Sequence, residues 1–520
     1  MFKQETKSEC ELIIRSKYLL TDPRLKKKGL LYNQAIYIKN DRIVDIDSYE
    51  NLMQKYPESR VVGTGNQLVM PGLIDSHSHG QGMSYLQRGL GYDYLENSIL
   101  DWAYAPDLEP ELSTKITAIK HIKNGCTTIH HNDWGNPFDS QMLRKSHEKI
   151  NGYLEAGSRL SFSPGIRNVN ILAYEDKKFF ESLPTTLMKD FKDIVFLDHK
   201  QIIEDYFCLF DNLYNKYCND DTKIILGPSW VQGSTDELLI ETRNKAKEKN
   251  NLPIHIHTLQ TPIQKEYGLR KYKKSLLLHL DDLGLVKDNL VLGHAVYLDE
   301  DDIDLISERK SSITHHPSCN FIMRNGIAPV YEMKSKGINI ALGIDGKGFN
   351  DDEDIMMEMR MAYLIHRIPS YDLEGNTPID SFDIIEMATT SAAKVCGFND
   401  IGAIRIGYKA DIIIIDLERV CGEPFVVPEQ NIEDIFIYRC KGSDVNTTII
   451  NGEIVMDNRR ITTVDEAELF DQAREDISRG ISPEKMKYAE SLQNLKPYYW
   501  EWYKELSKGE YKPYYVLNSR

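Results

Sequence analysis

The sequence predicts an α/β fold: a (β/α)₈ TIM-like barrel with a small sheet domain assembled from both chain ends. Three observations carry that prediction. Eight short apolar runs recur through the middle of the 520-residue chain, each followed by a polar or helix-like segment, the signature of parallel β/α units. β-rich stretches lie at both ends, marked by alternation, β-branched residues and Asn-Asp or Gly turns. Several of the central runs finish in histidine or aspartate, at the strand end where such a barrel places its chemistry.

In chain order, residues 1–67 read as the first part of the sheet domain, with strands in "ELIIRSKYLL" and "QAIYIKNDRIVDI". Residues 68–404 read as the barrel. Its eight strand candidates are "LVMPGLIDSHSH", "CTTIHHN", "LSFSPGIR", "KIILGPSW", "LPIHIHT", "LVLGHAV", "SSITHHP" and "INIALGIDG". Residues 405–462 return to strand patterning in "KADIIIIDLERV" and "VNTTIINGEIVMD". Residues 463–520 form an extension: "VDEAELFDQAREDI" reads as a helix. The aromatic "PYYWEWYKELSKGEYKPYYVL" reads as a tail packed on the body or on a second subunit, with a substrate lid as the lesser alternative.

The formal net charge of −16 argues against nucleic acid or an anionic membrane as the main partner and leaves a small molecule. Eight scattered cysteines without a C-x-x-C spacing fit reduced thiols. No apolar run approaches the ~18 residues of a membrane span and no signal pattern opens the chain. A cytoplasmic protein is expected.

The histidines decide the chemistry. On a strand, residues i and i+2 share a face, so His77 and His79 both enter the barrel mouth while Ser76 and Ser78 turn away. Two adjacent imidazoles suit a divalent metal, which accepts nitrogen at ~2.0–2.1 Å. One His-x-His is weak evidence by itself. It gains weight because strand five ends in His255 and His257, strand six in His294, strand seven in His315 and His316, and strand eight in Asp345. Three or four histidines and an aspartate make an N/O site suited to zinc, iron(II), manganese or cobalt, and an open position there lowers the pKa of bound water towards ~7. Asp345 is placed to bridge metal and water and take the proton, and His315 to steer the hydroxide or stabilise developing charge. His257 lies nearer the strand end than His255, so it is read as the ligand and His255 as deeper packing.

Taken together, "PGLIDSHSH", "HIHTLQT", "LGHAV", "HHPSCNFIMRNGIAPV", "ALGIDG" and "IGAIRIGYKADIIIID" resemble the amidohydrolase superfamily. The branch is that of cytosine, guanine and S-adenosylhomocysteine deaminases and s-triazine hydrolases. The resemblance implies a (β/α)₈ barrel with a β-sandwich from both chain ends. It implies one divalent metal ion, zinc first and iron(II) second, held by His77, His79, His257, His294 and Asp345. It also implies that His315, in the His-x-Pro-x-x-Asn element, contacts metal-bound water or substrate. Two-metal relatives use a carboxylated lysine on strand four, and Lys223 stands at the wrong end of that strand. The family's habit and the aromatic tail lead to an expected homodimer or higher homo-oligomer.

One departure matters. The family's deaminases usually carry a proton-shuttling glutamate in an H-x-x-E after strand five, and here His257 is followed by Gln260, which cannot titrate. Asp345, His315 or Glu266 then has to carry protons. The expected reaction is hydrolysis of a C–N bond, as deamination of a small nitrogen heterocycle. Gln260 favours the alternative of amide, urea or carbamate hydrolysis, and an inactive binding or scaffold barrel is the reading from another class. Trp134, Trp230 and Gln232, in loops after strands two and four, are candidate substrate contacts. His130 and His131 end strand two without an assigned role. Asp351, Asp352 and Glu358 read as charges at a helix N-terminus, and the apolar residues of "GYDYLENSILDWAY" as core contacts.

Overall fold

The computed structural model describes residues 11–348, 350–367, 379–422 and 431–506. The central runs form eight strands: β1 (Leu73–Ser78), β2 (Cys126–Asn132), β3 (Arg159–Ser163), β4 (Thr222–Ile224), β5 (Ile254–Thr258), β6 (Leu290–His294), β7 (Ser312–His315) and β8 (Asn339–Leu342). They pair in parallel as two four-stranded sheets, β4-β3-β2-β1 and β5-β6-β7-β8. Isolated parallel bridges link the sheets along both edges: Leu226 to Ile254 and Trp230 to His257 on one side, Ser78 to Asp345 on the other. Nearly every residue of these strands is buried. That is why they read as short continuous apolar runs and not as alternating ones.

The expected first strand divides at Gly72. Leu68–Pro71 turns away into a seven-stranded sheet, where it pairs antiparallel with Ile412–Ile415 and parallel with Tyr18–Leu20. A Cβ at Gly72 would sit 2.2 Å from the Thr127 side chain, so only glycine lets the chain pass so close to β2. The boundary expected at residue 68 therefore falls inside the terminal sheet. A second, four-stranded sheet holds Glu11–Arg15, Gln34–Lys39, Arg42–Ser48 and Arg60–Val62. Ile14, Ile36 and Ile38 of one sheet share an apolar cluster with Val69, Ile412, Ile414 and Ile449 of the other. Arg159, fully buried on β3, donates to Asp411 at 2.6 Å and fastens the parallel strands to these terminal sheets.

Five helices bear on the site: α1 (Leu95–Asp101), α2 (Pro110–Lys123), α3 (Pro262–Tyr272), α4 (Ile355–Ile365) and α5 (Pro483–Leu506). The helix expected near residue 465 spans Glu466–Ser478. The start of the aromatic tail lies in α5, packed on the body. Trp500 Nε1 donates to Asn97 Oδ1 (2.8 Å), Trp502 Nε1 to the Tyr174 carbonyl (2.9 Å) and Lys496 to Asp101 (2.5 Å). The rest of the tail, 507–520, lies outside the described residues. No described helix is long and apolar enough to cross a membrane.

Candidate metal centre and substrate cleft

Four histidines at the C-terminal strand ends share one arrangement: each commits Nδ1 to the protein. His79 Nδ1 lies 2.7 Å from the Asn132 carbonyl and His257 Nδ1 2.7 Å from the Ser229 carbonyl, so both donate there and keep an Nε2 lone pair. His77 Nδ1 lies 2.8 Å from His255 Nε2, and His294 Nδ1 3.0 Å from Asn320 Oδ1. The Nε2 atoms of His77, His257 and His294 are buried with no hydrogen-bond partner. His79 Nε2 is 3.0 Å and His294 Nε2 3.4 Å from the two oxygens of Asp345.

Ligand atoms of His77, His79 and His257 fall within 4.8 Å of one another, as do those of His77, His294, His316 and Asp345. Buried imidazole nitrogens left unpaired are costly. Imidazoles oriented through Nδ1 onto carbonyls are the usual way a protein aims Nε2 at a metal. The donor set fits a divalent ion with N/O preference. Burial, then the neighbouring imidazoles, push the His77 and His257 rings well down, so they stand neutral. Burial works to raise the Asp345 carboxyl, yet the His79 hydrogen bond and the nearby His294 and His316 rings hold it well below the usual carboxylate range.

Asp75 sets the spacing of two ligand-bearing strands. Its Oδ1 accepts the backbone N–H of His77 (3.1 Å) and of Ile344 (3.0 Å), and Oδ2 faces His121 Nε2 at 2.9 Å. Asp345 itself sits at φ 64°, a strained conformation for a non-glycine residue, and donates its N–H to the His77 carbonyl at 2.7 Å.

Beside the centre opens a cleft enclosing about 560 Å³, part of it open to solvent. Its walls include Tyr92, Leu95, Trp102, Trp134, Gln260 and Met323, with His79, His257, His294 and Asp345 at one end. The Trp134 ring lies 4.7 Å from His79 and 5.7 Å from His257 at shallow angles, and Trp102 is 5.7 Å from Trp134. Flat aromatic walls next to a polar end suit a planar heterocycle.

Several expected residues fall elsewhere. His315 turns away, with Nε2 3.0 Å from Nε2 of His366, the residue that caps the end of α4, and His316 takes the inward place. Strand parity is the reason. Thr314 Oγ1 points inward to His255 at 3.5 Å, so residue 316 shares that face and 315 does not. This removes His315 from the catalytic position expected of it. Gln232 is outside the cleft, donating to the Tyr174 hydroxyl at 3.1 Å. Trp230 stands behind Trp134, edge to face at 5.6 Å, because it pairs with His257 in the strand bridge. Glu266 is not among the cleft residues, and Lys223 points to the Asn219 carbonyl at the far end. His130 stacks on His255 beneath the centre, and His131 faces Tyr153. Asp351 accepts from Ser84 and Tyr92 hydroxyls, while Asp354 caps α4. Tyr92, Leu95 and Trp102, expected as core contacts, reach the cleft because they follow β1 on the side where the barrel mouth opens.

A model of the amidohydrolase family matches residues 68–455. The chain is 28% identical over 475 residues to a 5'-deoxyadenosine deaminase of Methanosarcina acetivorans, covering 89% of this chain and 97% of that protein. It is 30% identical over 467 residues to a 5-methylthioadenosine/S-adenosylhomocysteine deaminase of Caldanaerobacter subterraneus subsp. tengcongensis, with 87% and 95% covered. The zinc-bound adenosine deaminase of Xanthomonas campestris superposes with a TM-score of 0.72 at 22% identity, over 90% of this chain and 98% of that one. A mutant atrazine chlorohydrolase of Arthrobacter aurescens, complexed with zinc and atraton, gives 0.74 at 19% identity, over 90% and 100%. The structural likeness speaks to the fold, a TIM-barrel α/β architecture.

Proposed function

We propose, from the premise that the chain belongs to the amidohydrolase family, that it is a mononuclear metal-dependent hydrolase removing the exocyclic amino group of a small nitrogen heterocycle. The substrate class is that of 5'-substituted adenosines, which the names of its relatives describe. One observation carries the reading: imidazole Nε2 atoms with no protein partner converge on the Asp345 carboxylate at the end of an aromatic cleft. The ion is a single divalent one, zinc first, since two structural neighbours hold zinc, and iron(II) second. A bound ion there acts as a Lewis acid that makes water nucleophilic at neutral pH.

The protein's own groups do the rest. Trp134 offers its face to the ring. Gln260, on the cleft wall, donates or accepts a hydrogen bond at the ring edge. Asp345, ionised, takes the proton that water loses on adding to the amino-bearing carbon and returns it to the departing nitrogen, so water enters and ammonia leaves in balance. The eight parallel strands close as one barrel over residues 72–404. The described residues of 11–71 and 405–462 make up a β-sandwich in this reading, and the helix Pro483–Leu506 packs on Leu95–Asp101 beside the cleft. Unpaired thiols at the seven described cysteines support a reducing, cytoplasmic setting, and a homodimer or higher homo-oligomer completes the proposal.

The test is a panel of adenosine, 5'-deoxyadenosine, 5-methylthioadenosine, S-adenosylhomocysteine, cytosine, guanine, triazines, amides, ureas and carbamates, followed by ammonia release and product mass. The expected result is deamination within the adenine nucleosides. Turnover confined to amides, ureas or carbamates overturns it in favour of the second reading, which Gln260 supports. A rise in deamination on Gln260→Glu also points there. A folded protein without metal or turnover favours the scaffold reading.

A further inference from the structure

The Trp102 wall of the cleft has little of its own to hold it. It follows α1, a helix of seven residues, and lies in a single 3₁₀ turn, Trp102–Tyr104. Helices that short are not stable alone and keep their place through tertiary contacts. The Trp102 ring stacks on Tyr85 at 5.2 Å and meets Trp134 at 5.7 Å, and all three rings line the cleft.

The turn is gripped at both ends by α5. Before it, Asp101 Oδ1 accepts from Lys496 Nζ at 2.5 Å and from Gln493 Nε2 at 2.7 Å. After it, Lys485 Nζ donates to the Ala105 carbonyl at 2.7 Å and pairs with Asp107. The two lysines stand about three helical turns apart, so one face of α5 presents both. From that same helix, Trp500 Nε1 donates to Asn97 on α1 at 2.8 Å. The lysine side chains are largely covered, 16% exposed at Lys496 and 27% at Lys485, unlike ordinary solvated surface pairs. Buried Leu492, Leu495, Tyr499 and Tyr503 anchor α5 on the body independently of these lysines. Losing the lysines therefore frees the turn and leaves the helix in place.

We propose that Lys485 and Lys496 are positioning residues for substrate binding: through them α5 fixes the Trp102 wall, and the C-terminal extension becomes part of the binding site. This rests on the reading that the cleft takes a planar heterocycle.

The test measures ammonia release from 5'-deoxyadenosine by the full-length metal-loaded enzyme. Lys485→Met/Lys496→Met is expected to raise KM about 3–10-fold, the scale of two partly covered ion pairs, with kcat within about twofold of wild type. Lys496→Arg, which keeps the charge, should hold KM near the wild-type value. Ser491→Ala, whose hydroxyl donates to Asp190 elsewhere on α5, should leave both constants unchanged. In a Trp102→Ala background the two lysine changes should move KM less than about twofold, because the wall they position is gone. An unchanged KM in the double lysine variant overturns this inference and leaves the hydrolase standing. An equal rise in KM with and without Trp102 also overturns it. A wild type that deaminates no adenine nucleoside overturns the functional reading and this inference with it. Should the double variant not fold, the two single lysine changes decide by the same comparison.

Discussion

Replacing Lys347, which lines the cleft two residues after Asp345, by methionine isolates one buried charge pair. The Lys347 ammonium donates to Glu353, and both side chains are 1% exposed. The other Glu353 oxygen has no hydrogen-bond partner and stands 4.0 Å from His121 Nδ1. Without the ammonium, a carboxylate is left buried and unpaired, a loss of about 3–5 kcal/mol against a total stability of roughly 5–15 kcal/mol. The reverse change, Glu353→Leu, costs less. Burial already pushes the Lys347 ammonium down to about 8 although Glu353 works to raise it, so removing Glu353 lowers it further and lets the amine shed its proton instead of staying charged. The double variant Lys347→Met/Glu353→Leu removes both charges and should recover most of the loss. Urea unfolding of the metal-free proteins, followed by tryptophan fluorescence, gives the double-mutant cycle. A Lys347→Met loss under ~1 kcal/mol, or a double variant as unstable as that single one, refutes the reasoning.

Other outcomes follow from the same geometry. Burial pushes the His366 imidazole down from 6.5 to about 4. The unfolded chain therefore binds that proton first, and stability falls as pH drops from 6.5 through 4, by up to ~3 kcal/mol. His366→Gln should flatten that slope in pH-stepped unfolding, and an unchanged slope counts against it. Trp134→Ala removes a flat wall 4.7 Å from His79 and is expected to raise KM up to ~10-fold, read in steady-state ammonia release. Gln232→Ala should leave KM and kcat within about twofold, because its amide is tied to Tyr174 outside the cleft. Equal effects of the two changes contradict the placement of the cleft.

Much of the centre was legible because strand geometry has a period of two. His77 and His79 share a face by spacing alone, and His257 was separable from His255 by depth along its strand. The same rule, carried across to strand seven, would have chosen His316. In "SSITHHP" the apolar Ile313 marks the helix-facing parity, so His315 faces outward with it. The position of Gly72 was harder to read. "LVMPGLIDSHSH" is apolar throughout, and periodicity does not show that its first four residues pair with a strand some 340 positions later. The cleft walls were least legible. Tyr92, Leu95 and Trp102 sit in a segment whose helical spacing fits core and pocket equally well, and only the fold decides which. Trp230 and Gln232 were assigned by position after a strand, whereas the bridge from Trp230 to His257 and the Tyr174 contact turn them from the cleft.

Metal content bears most directly on the whole reading: five side chains from four strand ends hold one ion. Elemental analysis of protein purified without chelator should give close to one divalent ion per chain. Activity should vanish on chelation and return with the metal, and His79→Ala should lose both ion and turnover. A folded, catalytically active protein that carries no divalent metal, before or after chelator treatment, contradicts it.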